Sequence, residues 1–194
     1  DLRQLGESGL PDARRVYASD VLIRGHGVLG DQLYVIDPAA PRYQLLRFDL
    51  RQPSPEPEVA LPEQQGVLRL MSTAGDAVYV TEDLLNRTRL HAIDARGARR
   101  IALPEGVVST LESGLEGEGA WLTQVDWLAP PRAWLVRPGA PGAEALTVGP
   151  AFAEPAIEGY ASKLQWAIAR DGERIPYTLV EASAAKPMPQ RKGS

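Results

Sequence analysis

Hydrolysis at a protein site needs a nucleophile and a base within hydrogen-bond reach, and a metal needs several ligands converging on one point. The chain of 194 residues has no cysteine and two histidines, His26 and His91. A thiol nucleophile, a disulfide framework and a cysteine-bound metal are therefore excluded. Ser8 stands in Gly6-Glu7-Ser8-Gly9 and Ser113 in Glu112-Ser113-Gly114. Neither has the Gly-x-Ser-x-Gly spacing of a nucleophile elbow; Ser8 follows no strand pattern, and Ser113 reads as a turn residue. His26 sits in the turn-like Gly25-His26-Gly27 and His91 in an alternating strand, so both read as exposed histidines, one in a loop and one on a strand face. No catalytic, cofactor-binding or metal-ligating residue is assigned from these patterns, and no cofactor is expected.

Acids and aromatics do recur at fixed spacing. Gly30-Asp31-Gln32-Leu33-Tyr34-Val35-Ile36 is followed by Gly75-Asp76-Ala77-Val78-Tyr79-Val80-Thr81 and then by Gly117-Glu118-Gly119-Ala120-Trp121-Leu122-Thr123. The glycine intervals are 45 and 42 residues, and a second marker, Leu61-Pro62-Glu63 and Leu103-Pro104-Glu105, repeats at 42. Two markers sharing one period make these residues architectural. Asp31, Asp76 and Glu118 are expected to shape turns through side-chain bonds to backbone, since a calcium site needs a denser oxygen cluster. Tyr34, Tyr79 and Trp121 are expected to pack between neighbouring units. Asn86-Arg87-Thr88 matches a glycosylation sequon but also reads as a turn entering a strand, while Arg14-Arg15 and Arg99-Arg100 read as solvated pairs.

Each unit offers an innermost strand (Val67 to Met71, Val107 to Leu111), a second (Val78 to Thr81, Ala120 to Gln124) and a third (Arg89 to Asp94, Ala133 to Arg137). A weaker fourth follows at Glu58 to Leu61, Arg99 to Leu103 and Leu146 to Val148, with a turn expected at Glu82 to Asn86. Short strands with little helical period predict an all-β fold, and a period of roughly 40 to 50 residues predicts β-propeller blades, each a four-stranded antiparallel sheet. About three to four blades are present against the roughly 4 to 8 of a closed ring, so a partial propeller is expected over residues 1–158. Beyond it, over 159–194, a different object is expected: a connection and a β-hairpin. Lys163 to Ile168 and Ile175 to Val180 are its strands, turned by Asp171-Gly172, with Pro176 marking an edge.

Composition sets outer limits. A hydrophobic share of 44% can supply a core, while 18 Gly and 17 Pro suit a chain with many turns. The net charge of −4 argues against nucleic acid or an anionic membrane as partner, since both need a basic field. No apolar run approaches the roughly 18 residues of a membrane span, and Asp1-Leu2-Arg3-Gln4 does not open like a signal peptide. A cytoplasmic location is expected, with periplasm or secretion left open by the possibility of a segment removed ahead of Asp1.

At the hairpin the chain resembles the prolyl oligopeptidase family of serine peptidases, where a seven-bladed propeller is followed by a hairpin of the form Ser-x-Asp-Gly-x-x-Ile-Pro. Arg170-Asp171-Gly172-Glu173-Arg174-Ile175-Pro176 fits that form, with Ala169 where the family usually has Ser. Ala40-Pro41-Arg42-Tyr43-Gln44-Leu45 is similar to a blade strand of that family, and Ala129-Pro130-Pro131-Arg132-Ala133-Trp134 to its final-blade segment. The resemblance covers roughly residues 20 to 182. It implies the last blades of a partial seven-bladed propeller plus the first hairpin of an α/β-hydrolase domain whose Ser, Asp and His lie beyond Ser194. It implies as partners short peptide substrates, the remaining blades and that domain, and a segment inactive by itself. The rival expectation from the repeats alone is a non-catalytic propeller that binds a protein or peptide. Open blade faces imply self-association of the isolated chain.

Overall fold

In the computed structural model of this chain, residues 16–17, 23–114, 118–146 and 157–183 are described. Among them there is no helix. Blade 1 comprises β1 (His26–Leu29), β2 (Gln32–Asp37), β3 (Gln44–Asp49) and β4 (Glu58–Leu61). Blade 2 comprises β5 (Val67–Ala74), β6 (Ala77–Leu84), β7 (Arg87–Asp94) and β8 (Gly97–Ile101). Blade 3 comprises β9 (Val107–Ser113), β10 (Ala120–Val125), β11 (Arg132–Val136) and β12 (Glu144–Leu146). Each is a four-stranded antiparallel meander, and among the described residues β13 (Tyr160–Ile168) pairs only with β14 (Arg174–Ala182). The chain is a partial β-propeller followed by a hairpin.

Local chemistry sets the turns. Leu29 pairs with Gln32 and Ala74 with Ala77, leaving the two-residue turns Gly30-Asp31 and Gly75-Asp76. Their glycines sit at φ 57° and 59°, the left-handed first position of a type II′ hairpin turn. Among the described residues the Asp31 and Asp76 carboxylates form no hydrogen bond, contrary to the expected side-chain role, and the glycine supplies the turn's positive φ. In blade 3 the turn is longer, with Ser113 opposite Ala120 and the Gly114 amide donating to the Gly119 carbonyl at 2.7 Å. The third repeat therefore keeps its register from the aromatic onward rather than from Gly117, which lies outside the described residues.

Three expected turns are strand in whole or in part. Gly25-His26-Gly27 leads into β1, because the Gly25 carbonyl accepts from the Ile36 amide at 2.9 Å and holds this segment beside β2. Gly27 is there for close approach: a Cβ would lie 2.9 Å from Thr73 Cγ2 of blade 2. Likewise Glu82 and Asp83 continue β6, and the turn is Leu85-Asn86 alone. Glu112 and Ser113 end β9 rather than forming a turn. The fourth strands run as β4, β8 and β12, two of them slightly N-terminal to their expected places; residues 147–148 lie outside the described set.

The period-2 alternation of a strand gives every blade two faces, and here both are apolar. Tyr34, Ile36 and Leu45 of blade 1 pack on Leu68, Val78 and Val80 of blade 2. Tyr79, Leu90 and Ala92, on the other face of blade 2, pack on Val108, Ala120 and Leu122 of blade 3. The rear of blade 1 buries Val35, Leu46 and Phe48 against Val16, Tyr17 and Ile23. Burying one such large side chain contributes about 1.5–3 kcal/mol. Tyr34 and Tyr79 lie between blades as expected. Trp121 does not: its neighbours Ala120 and Leu122 face blade 2, so Trp121 points away, and it is 39% exposed.

Leu85, 62% exposed, has φ 49° in the β6–β7 turn, a conformation that costs a residue with a Cβ about 1–2 kcal/mol. Leu85→Gly is expected to stabilise the chain by about 1 kcal/mol, or about 2–4 °C in Tm, by thermal denaturation. An unchanged or lowered Tm would contradict that turn conformation. The face carrying Trp121 predicts that the isolated chain sediments as a dimer or larger species, and a stable monomer across concentrations would refute this.

Candidate functional site

A cleft of about 1060 Å³ lies where one end of the blade stack meets the hairpin. The blades contribute the Leu85-Asn86 turn and three loops, 65–67, 105–107 and 125–127; the hairpin contributes Ser162 to Leu164 and Thr178. Its size is in the range of ligand-binding clefts.

A buried polar residue recurs at one position of the second strand of each blade, three residues after the repeated aromatic: Asp37, Glu82 and Gln124. Glu82, 1% exposed, accepts from the Gly66 amide at 2.9 Å and faces His91 Nε2 at 2.8 Å and Arg89 Nη1 at 3.3 Å. Gln124 donates from Nε2 to the Pro104 carbonyl at 2.9 Å, and Asp37 accepts from Tyr17 Oη at 2.6 Å and Gln44 Nε2 at 2.9 Å. In blades 2 and 3 this side chain clasps the segment that enters the innermost strand, whereas in blade 1 Asp37 ties Tyr17 to Gln44. The loops lack room for more: a Cβ on Gly66 would lie 2.3 Å from the Asp83 carbonyl oxygen, and one on Gly106 would lie 2.7 Å from the Gln124 amide carbon.

Burial alone would push the Glu82 carboxyl up, but the His91 hydrogen bond, the Gly66 amide and the charges of His91 and Arg89 outweigh it and hold the group below its ordinary 4.5. Burial likewise opposes, and hydrogen bonds from Gln44, Tyr17 and the Ala39 amide overcome, in lowering Asp37.

Polar ties link the blades at this end. Thr88 Oγ1 donates to Asp83 Oδ1 at 2.9 Å and accepts from the Val108 amide at 3.0 Å, while the Thr88 amide donates to the Gly106 carbonyl at 2.8 Å. Arg69 bonds both Asp83 and the Val108 carbonyl. The Leu68 amide donates to the Arg42 carbonyl at 3.2 Å, joining blade 2 to blade 1.

The roof is β13–β14. Gly172 at φ 88°, its amide bonded to the Ala169 carbonyl at 3.0 Å and Asp171 Oδ1 accepting from the Glu173 amide at 3.1 Å, makes the expected turn. Lys163 pairs with Glu181, and the Arg174 guanidinium lies 4.5 Å over the Trp166 ring. Trp166 and Ile168 on one face and Ile175, Tyr177 and Leu179 on the other are exposed.

The chemistry-bearing residues singled out in the sequence are not brought together. His26 is exposed on β1 of blade 1, whereas His91 is buried against Glu82 in blade 2, contrary to the exposed strand-face position expected for it. Ser113 Oγ donates to the Thr73 carbonyl at 2.6 Å and lies 3.0 Å from Ser72 Oγ, as a link between blades 2 and 3. Ser8, Arg14 and Arg15 lie outside the described residues. Arg99 is not simply solvated: Nη1 meets Asp94 Oδ2 at 2.5 Å. Asn86 lies in a turn entering β7, as expected, and its sequon partner Thr88 is buried. Glu118 holds one buried carboxylate oxygen without a hydrogen bond. Among the described residues no three His, Asp or Glu side chains converge as a metal site. The clasp residues and the cleft were missed in the sequence; the one signal was a polar residue three places after each aromatic.

No family model matches the chain, and no curated protein matches it. Solved structures do. A prolyl endopeptidase aligns at TM-score 0.69 with 18% identity, over 84% of this chain and 24% of the other. Prolyl oligopeptidase B from Galerina marginata aligns at 0.66 with 20% identity, over 89% and 26%; the H698A mutant of that enzyme, bound to a 35mer hydrolysis and macrocyclization substrate, aligns at 0.63 with 18% identity, over 86% and 24%. Oligopeptidase B from Leishmania major aligns at 0.61 with 18% identity, over 84% and 25%. The chain has the blade fold found in these peptidases and spans about a quarter of their length.

Because the folded Glu82 has a lowered pKa, its contribution to stability is complete above the unfolded value and is lost as pH falls below about 4.5 through the folded value. Glu82→Ala, which leaves the Gly66 amide without its acceptor and Arg89 with Gln65 Oε1 in place of a carboxylate, is expected to cost about 3 kcal/mol at pH 7 and less at pH 3, measured by urea denaturation. Equal destabilisation at both pH values would contradict the charged clasp.

Proposed function

We propose that this chain is the propeller portion of a serine peptidase of the prolyl oligopeptidase type, acting on short peptides. Blades extend over residues 1–158, and residues 159–194 begin the catalytic α/β-hydrolase domain. One observation carries the reading: three blades lead into a hairpin that roofs a cleft while exposing apolar side chains on both of its faces. A two-stranded hairpin is marginal alone and needs a sheet or helices to cover it. The starting strands of a larger domain meet that condition, and the likeness to peptidases of which this chain covers about a quarter supports it.

In this reading the chain's own residues bind and exclude. The clasped loops at Gly66 and Gly106 set the cleft floor, and narrow access restricts entry to short peptides. Acylation and deacylation by a Ser-His-Asp triad belong to the domain that follows the hairpin. Labelling the longer natural protein with a fluorophosphonate is expected to modify one serine C-terminal to Ser194, within a Gly-x-Ser-x-Gly sequence, and none in residues 1–194. Absence of any labelled serine downstream would overturn the assignment.

A further inference from the structure

We propose that the cleft is electrically polarised along the arc of blades and takes a short peptide with free termini in one orientation, carboxylate toward blade 1 and ammonium toward blade 3. This rests on the peptide-handling reading above. The cleft-lining segments belong to successive blades: Arg42 to blade 1, loop 65–67 and the turn ending at Arg87 to blade 2, and loops 105–107 and 125–127 to blade 3. Asp83 and Lys163 are already matched by Arg69 and Glu181. Of the other lining charges, Arg42 and Arg87 come first in this order and Glu105 and Asp126 last.

Their other commitments are slight. Arg87 and Glu105 have no ion-pair or hydrogen-bond partner among the described residues. Among the described residues Arg42 reaches only the Gln64 carbonyl, at 3.3 Å, and Asp126 Oδ1 accepts only from the Leu128 amide, at 3.0 Å. The two halves meet where the Thr88 amide bonds the Gly106 carbonyl, so Arg87 and Glu105 stand on adjacent segments yet form no salt bridge. Unpaired charges sorted by sign across one cleft complement a ligand with an anionic and a cationic end, and such complementarity fixes orientation more than affinity. A peptide with free termini is that ligand. Trp127 and Leu85, 65% and 62% exposed, offer apolar contact to a side chain between its ends.

Titrating the 194-residue chain calorimetrically with the peptide Ala-Leu-Pro-Phe-Ala, free, N-acetylated or C-amidated, reads this site without hydrolytic chemistry. Each cap is expected to weaken binding about three- to tenfold. Asp126→Asn should reduce the effect of acetylation and keep that of amidation, and Arg42→Gln should do the reverse. Equal affinity of the three peptides, no binding of any, or cap effects unchanged in both variants would overturn the proposal. Fluorophosphonate labelling of the longer protein with no cap effect here would leave the peptidase reading standing and this one refuted. Cap-dependent binding without labelling would do the opposite.

Discussion

Everything in this chain depends on the packing of one sheet face against the next. A four-stranded meander with Tyr79, Leu90 and Ala92 on one face and Val78, Val80 and Ile93 on the other cannot rest one side in water. Blade 2 satisfies both faces, with blade 1 behind and blade 3 ahead. Blade 1 covers its rear with Val16, Tyr17 and Ile23. Blade 3 turns Trp121 outward, where no described residue buries it fully. The same constraint recurs in the hairpin, whose two faces both carry exposed apolar side chains. Stacking is the source of both the fold and its unsatisfied surfaces.

Apolar stacking fixes spacing but leaves the loops free, and loop position decides the cleft. The clasps supply that position. Glu82 holds Gly66, Gln124 holds the loop at Pro104, and Asp37 holds Tyr17, each from the same place in a second strand. Buried polar groups without such partners would cost about 1–3 kcal/mol each, so each clasp favours one loop arrangement over its alternatives. Thr88 and Arg69 then carry that geometry to blade 3 through the Val108 backbone. The charged cleft lining is displayed on loops fixed in this way.

Much of this was legible in the sequence because it is written in local chemistry. The repeated glycine and aromatic, the alternating strands and the Asp171-Gly172 turn need no partner distant in the chain to be recognised. The start of β1 was misread because Gly25 and Gly27 resemble turn residues, and only the neighbouring Thr73 and Met71 reveal close approach as their purpose. The clasp changes identity from Asp to Glu to Gln while keeping its geometry, which hides it from any search for one residue type. His91 looked like a surface histidine because its partner, Glu82, lies on the adjacent strand. The cleft joins loops of three blades to a hairpin far along the chain, a juxtaposition that spacing does not encode.

The absence of cysteine allows a direct test of the blade stack. Ser72 and Ser113 belong to the innermost strands of blades 2 and 3, and their Oγ atoms are 3.0 Å apart. Placing cysteine at both positions and oxidising under native conditions should give one intramolecular disulfide, seen as faster migration without reductant and as a loss of two hydrogens in the intact mass. Two free thiols, or cross-links only between chains, would contradict the face-to-face packing of blades on which the fold, the cleft and the proposed function rest.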